Sequence, residues 1–315
     1  MQRADSATPA MEAKYWSLFV NRLAHTVQSQ KPGEDGKHYY YRPKGGHRLS
    51  LETIRQHLNG QLTIALYAIN PKTQRSKWVA IDADYGSALE DLLKLQWELR
   101  QDGVESALEK SRRGGHLWIF GDEPLLARDC RIYIYNLATR LRVPVKGNAG
   151  LAEGIEVFPR QDELGADEFG NAIRGPLGIH RAARKRYWFY GADYRLEAQL
   201  EYLSSLKKIT EEEMARFVAG LKMPAEFQSK PKIVLPPYDP TRREFRILDH
   251  VRAVRRRSGN YWTRCPSCSQ QGHDRSGDNL AISVADPRKY KCWAGCTKEM
   301  IRAALGCPIP HRIAS

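Results

Sequence analysis

The sequence predicts an α+β fold, with a larger N-terminal domain built on a mixed sheet and a small zinc-ribbon-like domain after it. Three observations support this prediction. Strand patterns of period two alternate with helix patterns of period 3.6 through residues 1–222. A proline-rich segment then interrupts both patterns, and two closely spaced pairs of cysteines follow it.

The N-terminal domain opens with two helical patterns and continues with strands and helices in alternation. Thr8–Gln30 carries apolar residues at helical spacing, and Ser50 is placed to cap a helix that begins at Leu51. The predicted strands are Thr63–Ile69, Trp78–Asp84, Ser106–Ser111, His116–Phe120, Ile155–Phe158 and Ala172–Leu177. The other predicted helices are Ala88–Arg100, Leu125–Leu141, Arg195–Leu206 and Thr210–Leu221. Together they predict one α+β domain over residues 1–222.

The composition changes abruptly after residue 222. Prolines recur between residues 223 and 241, and because proline removes backbone donors and favours an extended chain, we interpret this segment as a semi-rigid linker. Residues 242–315 form the second predicted domain. It opens with a predicted basic helix over Arg242–Arg257, in which Phe245, Leu248 and Val251 recur on one face.

The chain is strongly basic. Its 50 Lys and Arg against 36 Asp and Glu give a formal net charge of +14 and a pI near 9.5. Such a charge attracts polyanions and releases counterions from a phosphate backbone, so nucleic acid is the expected partner. No apolar run is long enough to cross a bilayer, and we expect no membrane association and a cytoplasmic location. Clustering of the cysteines indicates a metal site in a reducing compartment rather than a disulfide framework.

Two aspartates end the predicted strand Trp78–Asp84. Because a strand has a period of two, Asp82 and Asp84 point to one face, about 7 Å apart along the backbone. Carboxylates that end an apolar strand are partly desolvated, which is unfavourable unless a cation is bound. Two Mg²⁺ or Mn²⁺ ions held here can activate an attacking hydroxyl and neutralise a triphosphate. The competing interpretation is a chance pair of acidic residues in a solvated loop.

A basic glycine turn precedes the predicted strand His116–Phe120. Backbone amides at Gly114 and Gly115, beside two arginines, can cradle a triphosphate while His116 donates to it. Alternatively the glycines form only a hairpin and the histidine is structural. The neighbouring aspartates favour phosphate binding. The predicted nucleotide-binding residues of this turn are Ser111, Arg112, Arg113, Gly114, Gly115 and His116.

Glu156 is a candidate third carboxylate for the metal pair. It alternates with Ile155 and Val157 in its strand, so it points away from the face on which they lie. Asp162 is the nearby competitor for this role. An outward glutamate on a strand is commonly only solvated. The presence of the other candidate site residues favours the metal role for Glu156.

A basic strand and turn follow at residues 174–186. Arg174, Arg181 and Arg184 are candidates to grip the triphosphate or the backbone of a template. The alternative is a plain cationic surface loop.

These segments, taken in order, resemble the archaeo-eukaryotic primase superfamily, in particular the primase-polymerases of mobile elements, CRISPR-linked loci and bacterial conflict systems. The matching segments are Ala80–Asp84, Gly114–Phe120, Ile155–Gln161 and Gly170–Arg181. The likeness covers roughly residues 49–190. It implies an RNA-recognition-like βαββαβ module in the catalytic core, metal ligands at Asp82, Asp84 and Glu156, and a nucleotide-phosphate contact at His116.

Four cysteines form two short knuckles in the second domain, separated by a strand-like stretch, Asn279–Lys291. Two such pairs at this spacing are typical of a tetrahedral structural zinc site, which a segment with so small a core needs in order to fold. His273 can replace one thiolate as the alternative ligand. The predicted zinc ligands are Cys265, Cys268, Cys292 and Cys296.

Aromatic and cationic residues accompany these cysteines, and the module is similar to the zinc-binding domain of bacterial and phage primases. Such residues suit stacking on bases and contact with phosphates of a single strand. The predicted template-binding residues are Trp262, Arg264, Arg275 and Trp293.

The leading hypothesis is therefore a primase-polymerase that uses Mg²⁺ or Mn²⁺ to synthesise chains from nucleoside triphosphates on a single-stranded DNA template, with zinc as a structural ion. Two alternatives stay open at this point: a replication-initiation or single-strand-binding factor without catalysis, and a metal-dependent glycosyltransferase, which also uses Asp-x-Asp. Candidate protein partners are a helicase, a nuclease or CRISPR adaptation proteins.

Overall fold

A computed structural model describes residues 6–33, 36–43, 45, 47–146, 151, 153–228, 239, 245–252, 255–257, 259–272, 274 and 276–309. The chain divides between Ser229 and Lys230 into two compact units. No helix within these ranges is long and apolar enough to span a bilayer. Most of the predicted linker over residues 223–241 lies outside the described residues.

A βαββαβ module lies at the centre of the first unit. Its sheet has the order β5-β6-β4-β7, and each neighbouring pair is antiparallel. The module therefore has the RNA-recognition-like topology that the sequence analysis expects. Its elements are β4 (Arg75–Ala83), α3 (Ala88–Gln101), β5 (Ala107–Lys110), β6 (Gly115–Leu126), α4 (Ala127–Leu141) and β7 (Glu156–Phe158).

The two faces of this sheet bury different hydrophobic clusters. Ile81 and Leu117, which pair across β4 and β6, face the cluster that includes Leu92 and Leu95 of α3. Trp118 belongs instead to the cluster on the opposite face. Because neighbouring residues of a strand point to opposite faces, both sides of these strands are apolar along most of their length. Polar side chains on this sheet are thus confined to its ends.

A second sheet packs on the face that carries Trp118. Its order is β2-β1-β3-β8, again antiparallel. Three helices of this unit begin with side-chain caps, at Thr8, Ser50 and Thr210, as serine and threonine favour. The remaining elements of this unit are α1 (Pro9–Phe19), β1 (His25–Gln28), β2 (Tyr40–Tyr41), α2 (Leu51–Leu58), β3 (Ile64–Tyr67), β8 (Ala172–Arg174), β9 (Ile179–His180), β10 (Lys185–Arg186), α5 (Leu196–Ser205) and α6 (Glu211–Val218).

A buried histidine fixes the loop that joins β8 to β9. His57 is fully buried, and burial lowers its pKa to about 3. Its Nδ1 accepts a hydrogen bond from the Ile64 backbone N–H, so its Nε2 carries the proton and donates to the Pro176 carbonyl at 3.0 Å. A Cβ atom at Gly178 would lie 1.9 Å from His57 Cε1, so only glycine fits there. The loop is thereby held against α2.

The second unit is a four-stranded antiparallel sheet of order β11-β12-β13-β14 with two short helices. Its described core is small and is centred on Ile247, Leu280, Ile282 and Ile301 together with the cysteines. Its elements are β11 (Arg255–Arg257), β12 (Asn260–Thr263), α7 (Pro266–Gln270), β13 (Leu280–Ser283), β14 (Tyr290–Cys292) and α8 (Lys298–Ala304).

Two predicted helices are wrong in part, and in both cases strand pairing overrides a local helical pattern. The helix predicted over Thr8–Gln30 ends at Phe19, and His25–Gln28 instead pairs with β3. In the described part of Arg242–Arg257 the backbone forms a 3₁₀ turn at Ile247–Asp249 and then the strand β11, which pairs with β12. Residues 242–244, 253 and 254 lie outside the described residues.

The predicted mixed sheet also needs correction, since the named strands of the described residues pair antiparallel. Helix α3 joins β4 to β5, and helix α4 joins β6 to β7. The strands of each of these pairs run parallel, but another strand lies between them in the sheet. Parallel pairing is limited to isolated bridges such as Gly121 with Ile209.

Candidate active site

Four ionisable residues form one row across all four strands of the βαββαβ sheet. Glu109 of β5 is opposite His116 of β6, His116 is opposite Asp82 of β4, and Asp82 is opposite Glu156 of β7. Directly opposed residues of antiparallel strands point to the same face. The row therefore brings Asp82, His116 and Glu156 together as the sequence analysis expects, and it adds Glu109.

Glu109 is completely buried and is the anchor of the row. One carboxylate oxygen accepts hydrogen bonds from His116 Nδ1 at 2.7 Å and Trp118 Nε1 at 3.2 Å, and the other lies 2.8 Å from Arg174 Nη2. Burial opposes ionisation, but the charges of Arg174 and His116 outweigh it and lower the pKa of Glu109 to about 2. Glu109 is thus a buried carboxylate that stays charged because two cationic groups contact it.

His116 links this anchor to Asp82. Burial disfavours the imidazolium, but the negative charges of Glu109 and Asp82 outweigh burial and raise the pKa of His116 to about 9. His116 Nε2 lies 3.3 Å from Asp82 Oδ1 without the alignment of a hydrogen bond. Asp82 Oδ1 is consequently a buried oxygen with no hydrogen-bond partner among the described residues. A buried oxygen in this state is costly unless a cation or donor binds to it.

Asp84 lies just beyond the end of β4, where the turn that precedes β6 holds its carboxylate. Ser111 Oγ donates to Asp84 Oδ1 at 3.1 Å, and Arg113 Nη2 lies 2.7 Å from Asp84 Oδ2. Partial burial raises the pKa of Asp84, but the hydrogen bonds and charge of Arg113, with Ser111, give a net lowering. Asp84 is therefore ionised at neutral pH.

Glu156 faces the same space from the other side of Asp82. Lys146 Nζ and Arg160 Nη1 lie 3.3 Å and 3.2 Å from its Oε1 atom. The competitor Asp162 forms an ion pair with Arg131 instead, outside this space. Of the two carboxylates considered for the third ligand, Glu156 is thus the one that lies beside Asp82.

These side chains line a cavity of about 360 Å³, which we call the active-site cavity. Its floor is formed by Asp82, His116, Glu156 and Asp84, while Glu109 is buried behind His116, and its opposite wall comes from the second sheet and the β9 strand. The residues of that wall are Gln28, Tyr40, Asn171, Ala172, Ile173, Arg174 and His180. The cavity lies between the two sheets, at the end of each where polar residues replace the apolar cores.

The carboxylates fit divalent metal ions by donor type, because Mg²⁺ and Mn²⁺ prefer carboxylate oxygens. Asp82 supplies a buried oxygen that has the charge of His116 nearby but no hydrogen-bond partner among the described residues, and Asp84 and Glu156 line the same cavity. Among the described residues, only the four cysteines of the second unit bring three or more ligand atoms within 4.8 Å of one another. Asp84 and Glu156 are paired with cations, so metal binding at the row would require their carboxylates to turn toward Asp82.

Comparison with known proteins decides the family. The family model of the archaeo-eukaryotic primase domain of TOTE conflict systems matches residues 11–217, well over half of the chain. The chain belongs to this family. A primase-type nucleotidyltransferase function follows from that membership. No protein of curated function matches the sequence.

Two solved structures resemble this primase domain weakly. The polymerase domain of Mycobacterium tuberculosis ligase D, solved in complex with DNA, shares 12% identity over 67% of this chain and 87% of its own, with a TM-score of 0.32. The catalytic domain of primase Repb', solved in complex with initiator DNA, shares 10% identity over 62% of this chain and 92% of its own, also with a TM-score of 0.32.

The predicted phosphate cradle of the primase domain is only partly open. Arg112 is exposed and lines the active-site cavity. The Gly114 amide, in contrast, already donates to Ser111 Oγ at 3.1 Å. A Cβ atom at Gly114 would lie 2.0 Å from the Ala83 carbonyl oxygen, and one at Gly115 would lie 2.9 Å from that of Glu109. The two glycines thus allow tight packing of the turn, and the predicted cradling by the Gly114 amide needs correction.

The three predicted arginines of the β8–β10 region differ in their surroundings. Arg174 is largely buried on Glu109 while it also lines the cavity. Arg184 is exposed, and its φ of 51° lies in the left-handed region. Arg181 has buried Nε and Nη2 atoms with no hydrogen-bond partner in the described part of the chain. Of these guanidinium groups, Arg181 has the clearest need for an anionic partner.

Sequence reasoning missed two residues of the primase site, Glu109 and His180. The available signal for Glu109 was a single acidic residue inside the predicted strand Ser106–Ser111. His180 lines the cavity, and its Nδ1 accepts the Ala183 backbone N–H at 3.1 Å. Burial and the nearby Arg174 charge lower the pKa of His180, so it is neutral with its proton on Nε2. The sequence indicates a phosphate-binding role for this segment only through its arginines, and His180 was not among the predicted residues.

Glu109→Gln is expected to lower the kcat of nucleotide addition by about 10- to 100-fold, the usual loss when a group that orients a site residue is replaced. The amide keeps the shape but removes the charge that holds His116 and Arg174. Steady-state kinetics measure the effect, with the exposed Glu123→Gln as the matched control. Equal kcat values for the two variants would contradict the role assigned to Glu109.

Glu156→Gln and Asp162→Asn are expected to separate a site role from a structural one. Loss of a metal-facing carboxylate at Glu156 should lower kcat roughly 100-fold. Asp162→Asn leaves the buried Arg131 without its carboxylate, so it should instead lower stability by about 1–3 kcal/mol. Kinetics and thermal melts of both variants test the assignment, and the reverse pattern would make Asp162 the third ligand.

The four cysteines of the second unit converge into one cluster. Their sulfur atoms all lie within 4.8 Å of one another, and Cys268 Sγ is 3.5 Å from Cys292 Sγ and 3.3 Å from Cys296 Sγ. A tetrahedral zinc site with Zn–S bonds of about 2.3 Å has sulfurs about 3.8 Å apart, so the donor set and spacing fit zinc. Cys265 begins the knuckle, and its backbone N–H donates to Asp274 at 2.6 Å. The alternative ligand His273 lies outside the described residues.

Aromatic and cationic side chains lie near this cluster. Trp262 and Trp293 are stacked with ring centroids 6.3 Å apart, and Trp293 is 63% exposed. Lys291 Nζ lies 4.7 Å from the centre of the Trp293 ring. Arg264 is exposed, whereas Arg275 lies outside the described residues. The predicted template-binding residues that are described thus include one aromatic pair, of which Trp293 is exposed and Trp262 is half-buried.

Proposed function

We propose that this protein synthesises nucleic-acid chains on a single-stranded DNA template from nucleoside triphosphates, as a primase-polymerase. The observation that carries the proposal is the row of Glu109, His116, Asp82 and Glu156, in which Asp82 has a buried carboxylate oxygen without a hydrogen-bond partner among the described residues. Membership of the primase family supports nucleotidyl transfer, and it sets aside the glycosyltransferase hypothesis.

Asp82, Asp84 and Glu156 would hold two Mg²⁺ or Mn²⁺ ions. Such ions, when bound, supply activation of the attacking hydroxyl and neutralisation of the triphosphate charge. The cations now paired with Asp84 and Glu156 then become available to phosphate oxygens, among them Arg113 and Arg160. The three carboxylates thereby concentrate negative charge at one place in a basic protein.

His116 and the surrounding cations would bind the triphosphate. Glu109 accepts the hydrogen bond from His116 Nδ1, which leaves His116 Nε2 as a donor aimed toward the cavity. Arg112 at the cavity wall is suited to further phosphate oxygens. These groups hold the reacting phosphate in place, which is the principal contribution of protein side chains in phosphoryl transfer.

The second unit would bind the template with a structural zinc ion at its centre. Four thiolates leave no open coordination position, so zinc here stabilises the fold and does not react. Exposed Trp293 beside Trp262 can stack on unpaired bases, and Arg264 can contact phosphates. Both ribonucleoside and deoxyribonucleoside triphosphates are candidate substrates.

The proposal is tested with primer-free single-stranded DNA, labelled ribo- or deoxyribonucleotides and Mn²⁺ or Mg²⁺. The wild-type chain is expected to give products whose composition follows the template, and Asp82→Ala/Asp84→Ala is the control for a contaminating polymerase. Absence of wild-type product, or equal product from both proteins, would contradict the proposal. If the wild-type chain gives no product but still binds DNA, the non-catalytic single-strand-binding factor would be favoured.

A further inference from the structure

A second, larger groove lies in the first unit, apart from the active-site cavity. It has a volume of about 1060 Å³ and lies between the end of α1, the β1 and β2 strands and the segment that begins β4. We call it the basic groove and define it by its five cations and by His25, one of the two histidines that line it. These residues are Arg22, His25, Arg42, Arg48, Lys72 and Lys77.

The positive charge of the basic groove is not compensated by acidic residues. No aspartate or glutamate is found among the described residues that line it. None of its five cations forms an ion pair within the part of the chain that the structure describes. Like charges gathered in one concave surface repel each other and focus a positive potential. The groove therefore favours an anion.

Two of the arginines are held in position without use of a carboxylate. Arg42 lies over the Phe169 ring, 4.1 Å from its centre. Arg22 Nη1 donates to the backbone carbonyls of Glu168 and Phe169 at 3.3 Å and 3.4 Å, and partial burial lowers the pKa of Arg22. Pre-positioned guanidinium groups lose less entropy when they bind a phosphate than free side chains do.

A buried histidine also lines the groove. His25 is only 4% exposed, and burial lowers its pKa although the Leu23 backbone raises it, so the ring is neutral. His25 therefore adds a polar but uncharged group to the groove.

The basic groove and the active-site cavity lie at opposite ends of the same strands. On β1, His25 lines the groove and Gln28 lines the cavity, three residues or about 10 Å further along. Tyr40 of β2 lines the cavity, while Arg42 lines the groove two residues later. Tyr40 itself is 41% exposed, whereas Tyr41 points to the opposite face of the strand. The path from one site to the other is thus short, and the exposed aromatic ring on it is that of Tyr40.

We propose that the basic groove binds the phosphodiester backbone of a single nucleic-acid strand that runs to or from the active-site cavity. The choice of nucleic acid as the anion rests on the proposed function. A repeating phosphate chain suits several cations spread along one groove better than a single small anion does, and the partly exposed Tyr40 ring offers a base a stacking surface.

The test compares Arg22→Gln/Arg42→Gln with a control that loses two exposed cations elsewhere in the first unit, Arg128→Gln/Lys222→Gln. Binding of a fluorescein-labelled oligothymidylate of about 20 nucleotides to the full chain is followed by anisotropy over a range of salt concentrations. No nucleotide or divalent ion is added, so binding is measured whether or not the protein polymerises.

The groove variant is expected to bind about 10-fold more weakly at 0.15 M salt, and its slope of log K against log salt should fall by about 1.4. The control should match the wild type, and thermal melts check that both variants fold. A strand that contains 4-thiothymidine should also cross-link to peptides with Tyr40 or Phe169. Equal losses in both variants, an unchanged slope in the groove variant, or no adduct in those peptides would overturn the proposal.

Discussion

Asp82→Asn alone is expected to lower the kcat of nucleotide addition roughly 10³-fold, because the charge stabilisation that a bound metal supplies is worth several kcal/mol. Asp82 is the central residue of the row, with His116 opposite on one side and Glu156 on the other. The amide keeps the size of the side chain and removes its charge. The variant should therefore fold normally while it loses its affinity for Mn²⁺.

Single-turnover addition of one labelled nucleotide measures this loss, and titration with Mn²⁺ shows whether metal binding is its cause. Asp122→Asn is the matched control, since Asp122 lies exposed on the neighbouring strand β6. A 10³-fold loss in Asp82→Asn that excess Mn²⁺ partly reverses would support the metal role. Wild-type rates in this variant would remove Asp82 from the mechanism.

Cys292→Ser is expected to abolish stoichiometric zinc binding and unfold the second unit. Structural zinc sites contribute about 10–16 kcal/mol of apparent binding free energy, and folding of small metal domains depends on it. The described core of this unit consists of few apolar residues besides the cysteines, so packing cannot replace the ion.

Zinc content after dialysis and the near-ultraviolet circular dichroism of the Trp262–Trp293 pair report the two effects. Cys307→Ser is the control, because Cys307 is a partly exposed cysteine outside the cluster and should retain full metal content. Full zinc retention by Cys292→Ser would refute the ligand assignment.

The candidate site could be predicted from sequence as far as local periodicity reaches. The period of two placed Asp82 and Asp84 on one face, and the order of segments identified His116 and Glu156. Which residues stand opposite each other depends on strand register, which no local pattern fixes. Glu109 was missed for this reason: its charge depends on Arg174, which is 65 positions away in the sequence.

The same limit explains the wrong helices. Arg242–Arg257 has helical spacing, yet β11 pairs its last three arginines with the strand that carries Trp262. The pairing partner comes from the hairpin that follows, and ladder formation there outweighs the helical preference of the segment. The order of the βαββαβ elements was predicted correctly because their buried residues follow regular apolar patterns, although β5 and β7 have only four and three residues.

The end of β4 between Asp82 and Asp84 gives the two carboxylates different freedom. Asp82 is paired with neighbouring strands on both sides, so its backbone is fixed by the sheet. Asp84 follows the last residue of β4, Ala83, and is held through side chains of the turn, including the exposed Arg113. One ligand is therefore a fixed reference point and the other can adjust. Tolerance for nucleotides with different sugars, or for metal ions of different radius, should then depend on this turn. Variation of the turn should change these preferences while the sheet stays the same.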